Sequence, residues 1–175
     1  MGNEEISKSS FWTNLFKPSA VKSELEEVLL SMPPFRDLSS THIKSIIKLM
    51  HNRVYIPNEM IFHQGDPGTG LYIIISGKVV IKQDETGNSW ELAKLGRGDF
   101  FGELALLDNE VRSASAFALE ETQIAVIFKP ELDNFISNFP REGSKILKGI
   151  AQIIAIRLRT LNQDYFQLYK KSKTN

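Results

Sequence analysis

Apolar positions along the chain change their spacing twice. Val21, Leu25, Val28 and Leu29 recur at helical intervals, as do Ile43, Ile46, Ile47 and Met50. Each set falls on one face of a helix. Met32-Pro33-Pro34-Phe35 separates them, since proline removes a backbone donor and clashes with the preceding turn. Ser39 is placed to cap the second helix. From 54 to 129 the runs become short and β-rich: VYIPNEMIFHQ, LYIIIS, GKVVIKQ, SWELAKL and SASAFALEETQIAVIF. Between them stand GDPGTG, DETGN and GRGD, turn sequences rich in glycine. Many short strands with frequent turns predict a sandwich or barrel-like roll. A strict strand–helix–strand alternation is missing, which argues against a parallel sheet.

From 130 to 170 the helical period returns. Pro130 suits the first turn of KPELDNFISNF. A longer helix is expected from about Ser144. Its apolar stripe runs through Ile146, Ile150, Ile153, Ile154, Leu158, Leu161, Tyr165 and Leu168. The fold class is therefore α+β. The divisions fall at 1–32, a helical extension; 33–143, the β-rich unit with its leading helix; and 144–175, a C-terminal helix with a polar tail.

Composition narrows the function. The chain has 175 residues, 42% of them apolar, enough for one core. Basic and acidic residues number 21 each, so no basic excess points to nucleic acid. There is no cysteine, which removes disulfides and thiolate chemistry. No apolar run approaches the roughly 18–20 residues of a membrane span. The polar start MGNEEISKSS is not a secretory leader, so a cytoplasmic setting is expected. FWTNLF, 11–16, reads as cover for the domain's own core rather than a membrane or partner contact. His42, His51 and His63 are scattered and lack metal-ligand spacing, so no metal is expected. GRGDFFG misses the dinucleotide fingerprint by one residue of spacing. SGKV places Val79 where a P-loop needs Ser or Thr. No nucleophile or acid–base pair emerges, and the chain reads as a non-enzyme.

The chemistry concentrates in FGELALLDNEVRSASA. Gly102 lets backbone come close to a ligand. Glu103 is an acceptor for hydroxyls, and Arg112 calls for a fixed anion, best met by two parallel hydrogen bonds. Ser113, Ala114, Ser115 and Ala116 leave room and exposed amides. An anion beside a hydroxyl describes a sugar phosphate. The plainer alternative is that Glu103 and Arg112 pair with each other, although a buried pair without a ligand gains little over apolar residues.

FGELALL followed four residues later by RSAS resembles the phosphate-binding cassette of the cyclic nucleotide-binding domain family. That family includes the regulatory subunit of cyclic AMP-dependent protein kinase and the sensor domain of catabolite activator protein. The resemblance extends through PPFRDLS, IFHQGDPGTGLYIIISGKVVI and LGRGDFFGELALLDNEVRSASAFAL, covering roughly 33–165. Val111 stands where many members have proline.

The resemblance implies an eight-stranded antiparallel β-roll, jelly-roll-like, flanked by N-terminal and C-terminal helices. It implies that Glu103 accepts the ribose 2′-hydroxyl and Arg112 holds the cyclic phosphate. Gly102, Leu104, Ala105, Ser113 and Ala114 would complete the ligand-binding set. Ser113 is compatible with cyclic AMP, the ligand expected here, or cyclic GMP. Val79, Val80, Leu92 and Leu95 are candidates for an apolar wall under the base, with core packing the plainer role. Arg157 and Arg159 are candidates to reach the base, with a solvated helix face the plainer reading. The C-terminal helix would act as a lid, as a homodimer seam, or as fixed cover. No helix-turn-helix, channel or kinase signature is present. The expectation is a sensor that signals through an effector protein; the alternative is a degenerate roll serving as a structural or interaction module.

Overall fold

The computed structural model describes residues 18–104, 107 and 110–174. The FWTNLF segment lies outside them. Helix α1 spans Pro18–Ser31 and stops at the Met32-Pro33-Pro34-Phe35 turn, where Arg36 N donates to Met32 O at 2.9 Å. Helix α2 spans Ser40–Leu49. Ser39 caps it as expected, with Oγ accepting from His42 N at 3.4 Å.

Among the described residues, eight antiparallel strands follow in two four-stranded sheets. They are β1 His51–Tyr55, β2 Met60–Phe62, β3 Gly70–Ser76, β4 Val79–Glu85, β5 Asn88–Leu95, β6 Phe100–Phe101, β7 Ser115–Ala118 and β8 Thr122–Phe128. One sheet runs β1-β8-β3-β6 and the other β2-β7-β4-β5. This is the roll that the resemblance implies. VYIPNEMIFHQ divides into β1 and β2 at a turn, where Glu59 Oε2 accepts from Ile56 N at 2.8 Å. Strand β6 is only two residues long and pairs Phe101 with Tyr72 and Phe100 with Ile73.

The unbroken apolar run of β3 has a clear cause. Leu71, Ile73 and Ile75 face one core and Tyr72 and Ile74 another. A strand covered on both faces needs no polar alternation. The first core lies between the helices and the β3-containing sheet, joining Leu25 and Val28 of α1 to Ile43 and Ile46 of α2. The second fills the roll between the sheets, with Val79, Phe101, Ala116, Ala118 and Ile124. Helix α1 is tied down further by Arg97, in the turn between β5 and β6. Its guanidinium donates to Glu24 at 2.7 Å and to Ile75 O at 2.9 Å.

Helix α3 spans Lys129–Asn138 and α4 spans Pro140–Thr174. The long helix thus starts four residues before the expected Ser144. Pro140 sits at its first position, where a missing N–H costs nothing. The apolar stripe of α4 serves two surroundings. Ile146 and Ile150 are buried in the first core, with Ile153 and Ile154 partly buried. Leu158, Leu161, Tyr165 and Leu168 are 54–68% exposed. Every residue from Leu158 to Lys173 is exposed, roughly 24 Å of rod beyond the packed turns.

Seating α4 depends on Gly149. A Cβ there would overlap the backbone of Pro33 and Pro34, which cannot give way like a flexible side chain. Gly149→Ala is expected to destabilise the protein by roughly 1–3 kcal/mol, as overpacking does. Urea denaturation measures this. A gain near 1 kcal/mol, the helix propensity of alanine over glycine, would show that α4 does not cross this turn.

Candidate functional site

Strand β6 is followed by Gly102, whose φ of +80° favours glycine. Space makes the same demand. A Cβ at Gly102 would come within 2.5 Å of Arg112 Nη1 and 3.0 Å of Gly70 O. The chain returns at Arg112, whose N donates to Asp66 O at 2.8 Å while its own carbonyl accepts from Gly65 N at 2.9 Å. These bonds fix Arg112 at the rim of the roll.

Its side chain is 3% exposed. Nη1 donates to Gly102 O at 2.9 Å and Nη2 to Gly70 O at 3.0 Å. The guanidinium carbon lies 4.3 Å from the Phe62 ring centre and 5.3 Å from that of Tyr72, within cation–π range. Burial pulls the Arg112 pKa below its ordinary value, while Tyr72 and then Glu103 act to raise it. Among the described residues, Nε is buried with no partner. An orphan donor on a buried cation costs free energy unless something accepts from it.

Glu103, 5% exposed, does not pair with Arg112. Its Oε1 accepts from Arg157 Nη1 of α4 at 2.5 Å. Arg157 Nη2 donates to Phe100 O at 2.6 Å, and its guanidinium lies over the Phe100 ring at 5.2 Å. The pairing of Glu103 with Arg112, open on sequence grounds, is replaced by this contact across 54 residues. Arg157 thus faces the cassette and lines the cavity described below while keeping about 37% of its side chain exposed, and Arg159 is exposed.

Beside these groups opens a cavity of about 580 Å³ between the roll and α4. Gly102, Glu103, Leu104, Arg112, Ser113 and Ala114 line it, bringing six of the seven expected residues together. Ala105 lies outside the described residues. Ile81, Leu92 and Leu95 form an apolar wall, while Val79 and Val80 are buried and not part of it. Thr160 and Asp164 of α4 also line the cavity and were not singled out by sequence. Their signal is a polar 157, 160, 164 row beside the apolar stripe.

A cyclic nucleotide-binding domain model matches residues 52–139. The chain belongs to that family. Within it, this cyclic nucleotide-binding domain is 35% identical over 128 residues to the cyclic AMP receptor protein of Thermus thermophilus. That match covers 73% of this chain and 57% of the receptor. It is also 35% identical over 100 residues to a cAMP-dependent protein kinase regulatory subunit of Mycosarcoma maydis, covering 57% of this chain and 19% of the subunit. The chain thus spans only part of the length of these relatives. Among solved structures, the catabolite activator protein of Thermus thermophilus superposes with a TM-score of 0.68 at 34% identity, covering 78% of this chain and 62% of that one. A cyclic nucleotide-binding domain from Methylobacillus flagellatus gives 0.73 at 27% identity, covering 81% and 80%. Among the described residues, no helix is long and apolar enough to cross a membrane.

Arg112 braces this domain before any ligand arrives. Arg112→Leu strands the Gly70 and Gly102 carbonyls, at roughly 1–3 kcal/mol for each buried acceptor. The ligand-free protein should lose about 2–4 kcal/mol of stability, read by chemical denaturation. Parental stability in the variant would mean that water satisfies both carbonyls.

Proposed function

We propose that the protein is a non-enzymatic sensor of a purine 3′,5′-cyclic nucleotide. Arg112 and the backbone around Gly102, Ser113 and Ala114 hold the ring phosphate, and Glu103 accepts the ribose 2′-hydroxyl. The observation that carries the reading is the buried Arg112 Nε. Among the described residues it is a charged donor without a partner, in the lining of a cavity of about 580 Å³. A singly charged phosphate fits it, with charge-assisted bonds stronger than neutral ones. The cyclic AMP in the names of the Thermus and Mycosarcoma relatives supports that messenger. Ribose and ring phosphate are common to cyclic GMP, so the base is chosen at the far end of the cavity.

A ligand moves a helix only by binding one arrangement better than another. Glu103 touches both the proposed ribose position and Arg157, so a change at the carboxylate is felt by α4. The exposed Leu158, Leu161, Tyr165 and Leu168 offer the output surface, to a second copy or to an effector protein.

One observation favours a structural role instead. Glu103 and both terminal nitrogens of Arg112 already have partners inside the protein. Titration calorimetry separates the two readings. The sensor should bind a cyclic nucleotide in the micromolar range, about −8 kcal/mol. Heat from neither cyclic AMP nor cyclic GMP would leave the structural role standing. Arg112→Lys keeps a charge but loses the planar fork, and should weaken binding at least tenfold. Glu103→Ala should cost less, roughly 1–2 kcal/mol. If the parent holds a 2′-deoxy analogue as tightly as the ribonucleotide, Glu103 has no ribose role.

A further inference from the structure

Among the described residues, nothing covers α4 from Leu158 to Lys173. Leu158, Leu161, Tyr165, Phe166, Leu168 and Tyr169 are all exposed there. At roughly 100° per residue they span about 160° of the helix circumference. Thr160 and Asp164, which line the cavity, lie on the polar side, so the roll leaves the apolar arc open. Charge flanks that arc. Arg159, Lys170, Lys171 and Lys173 stand against a single acid, Asp164, a net of +3 in a chain that is neutral as a whole. Lys170 Nζ lies 4.6 Å from the Phe166 ring centre, and Lys173 Nζ 5.7 Å from that of Tyr169. These ammonium groups sit where the apolar arc meets the polar side, the placement of lysines that keep the stem on apolar surface and the head in water.

A second copy of the helix is the other occupant such a stripe could take. Leu158, Leu161, Tyr165 and Leu168 recur at the spacing of a coiled-coil seam. That seam is narrow, about 80° of the circumference. It leaves Phe166 at a position that faces solvent in a two-stranded coil. In a parallel pair, the positions beside the seam are Asn162, Asp164, Tyr169 and Lys171, and they set no acid of one copy opposite a base of the other. A flat anionic surface uses everything the seam leaves out. It takes the whole apolar arc, the aromatic rings at the level of lipid headgroups and the cations on both flanks. We propose that the free half of α4 lies along an anionic lipid surface, with Phe166 and Tyr169 in the headgroup boundary and Lys170 and Lys173 on the headgroups.

The test uses the full chain without nucleotide, so its outcome is separate from that of the sensor reading. The probes are sedimenting vesicles of phosphatidylcholine alone and of equal parts phosphatidylcholine and phosphatidylglycerol. Binding to the anionic vesicles should be at least roughly tenfold tighter, as a few cations near a charged surface provide. It should fall as salt is raised. Lys170, Lys173 and Phe166 are exposed, so substitutions there are expected to fold. Lys170→Glu combined with Lys173→Glu should weaken binding to the anionic vesicles by roughly tenfold or more. Phe166→Ser should also weaken it, although that residue lies outside any seam. Equal binding to the two vesicle types, no binding to either, or binding that both sets of substitutions leave unchanged overturns the proposal. So does a dimer in sedimentation equilibrium that Leu158→Asp dissociates and that anionic vesicles do not capture, since the stripe is then a seam between two copies.

Discussion

A positive charge with almost no access to water is the constraint around which this roll is arranged. Taking a guanidinium out of solvent costs several kcal/mol, and the protein must supply substitutes for the lost hydration. Two carbonyls and two aromatic faces do so for Arg112. Each substitute imposes a condition on sequence. Gly102 must lack a side chain, Gly70 must present its carbonyl at the first residue of β3, and Phe62 must close the rim from β2. That solvation is incomplete, since Nε has nothing to donate to among the described residues.

The second charge, Glu103, has a different job. It joins the cassette to α4 through Arg157, and Arg157 also reaches the carbonyl of Phe100, beside the β6 pairing with β3. One guanidinium of α4 therefore joins both β6 and the start of the cassette. Burying such a pair adds little to stability over an apolar contact. Its effect is to hold α4 to the cassette through a single carboxylate.

Much of this was legible in the sequence because local rules agreed with the fold. The proline-broken helices, the cap at Ser39 and the glycine-punctuated strands are all short-range features. The Gly102 to Ala114 cassette is contiguous, so its spacing could be read directly. What escaped was long-range or degenerate. Arg157 lies 54 residues from Glu103, and helical periodicity places it on a face without saying what that face meets. Strand β6 is too short to show alternation. Pro140 reads as a breaker from one direction and as a helix start from the other, hence the late boundary expected for α4. The apolar stripe keeps the same spacing where it packs on the roll and where it stands free, so its two halves look alike until coordinates separate them.

That stripe has a mechanical consequence. Helix α4 is a continuous rod from Pro140 to Thr174, pressed against the Pro33-Pro34 backbone at Gly149 and bare beyond Leu158. Arg157 and the exposed tip both lie beyond that crossing, the tip farther from it. In the sensor proposed above, a slight tilt at the carboxylate would become a wide sweep at the tip, so the stiffness of the rod, rather than the size of the local shift, would set how far a signal travels.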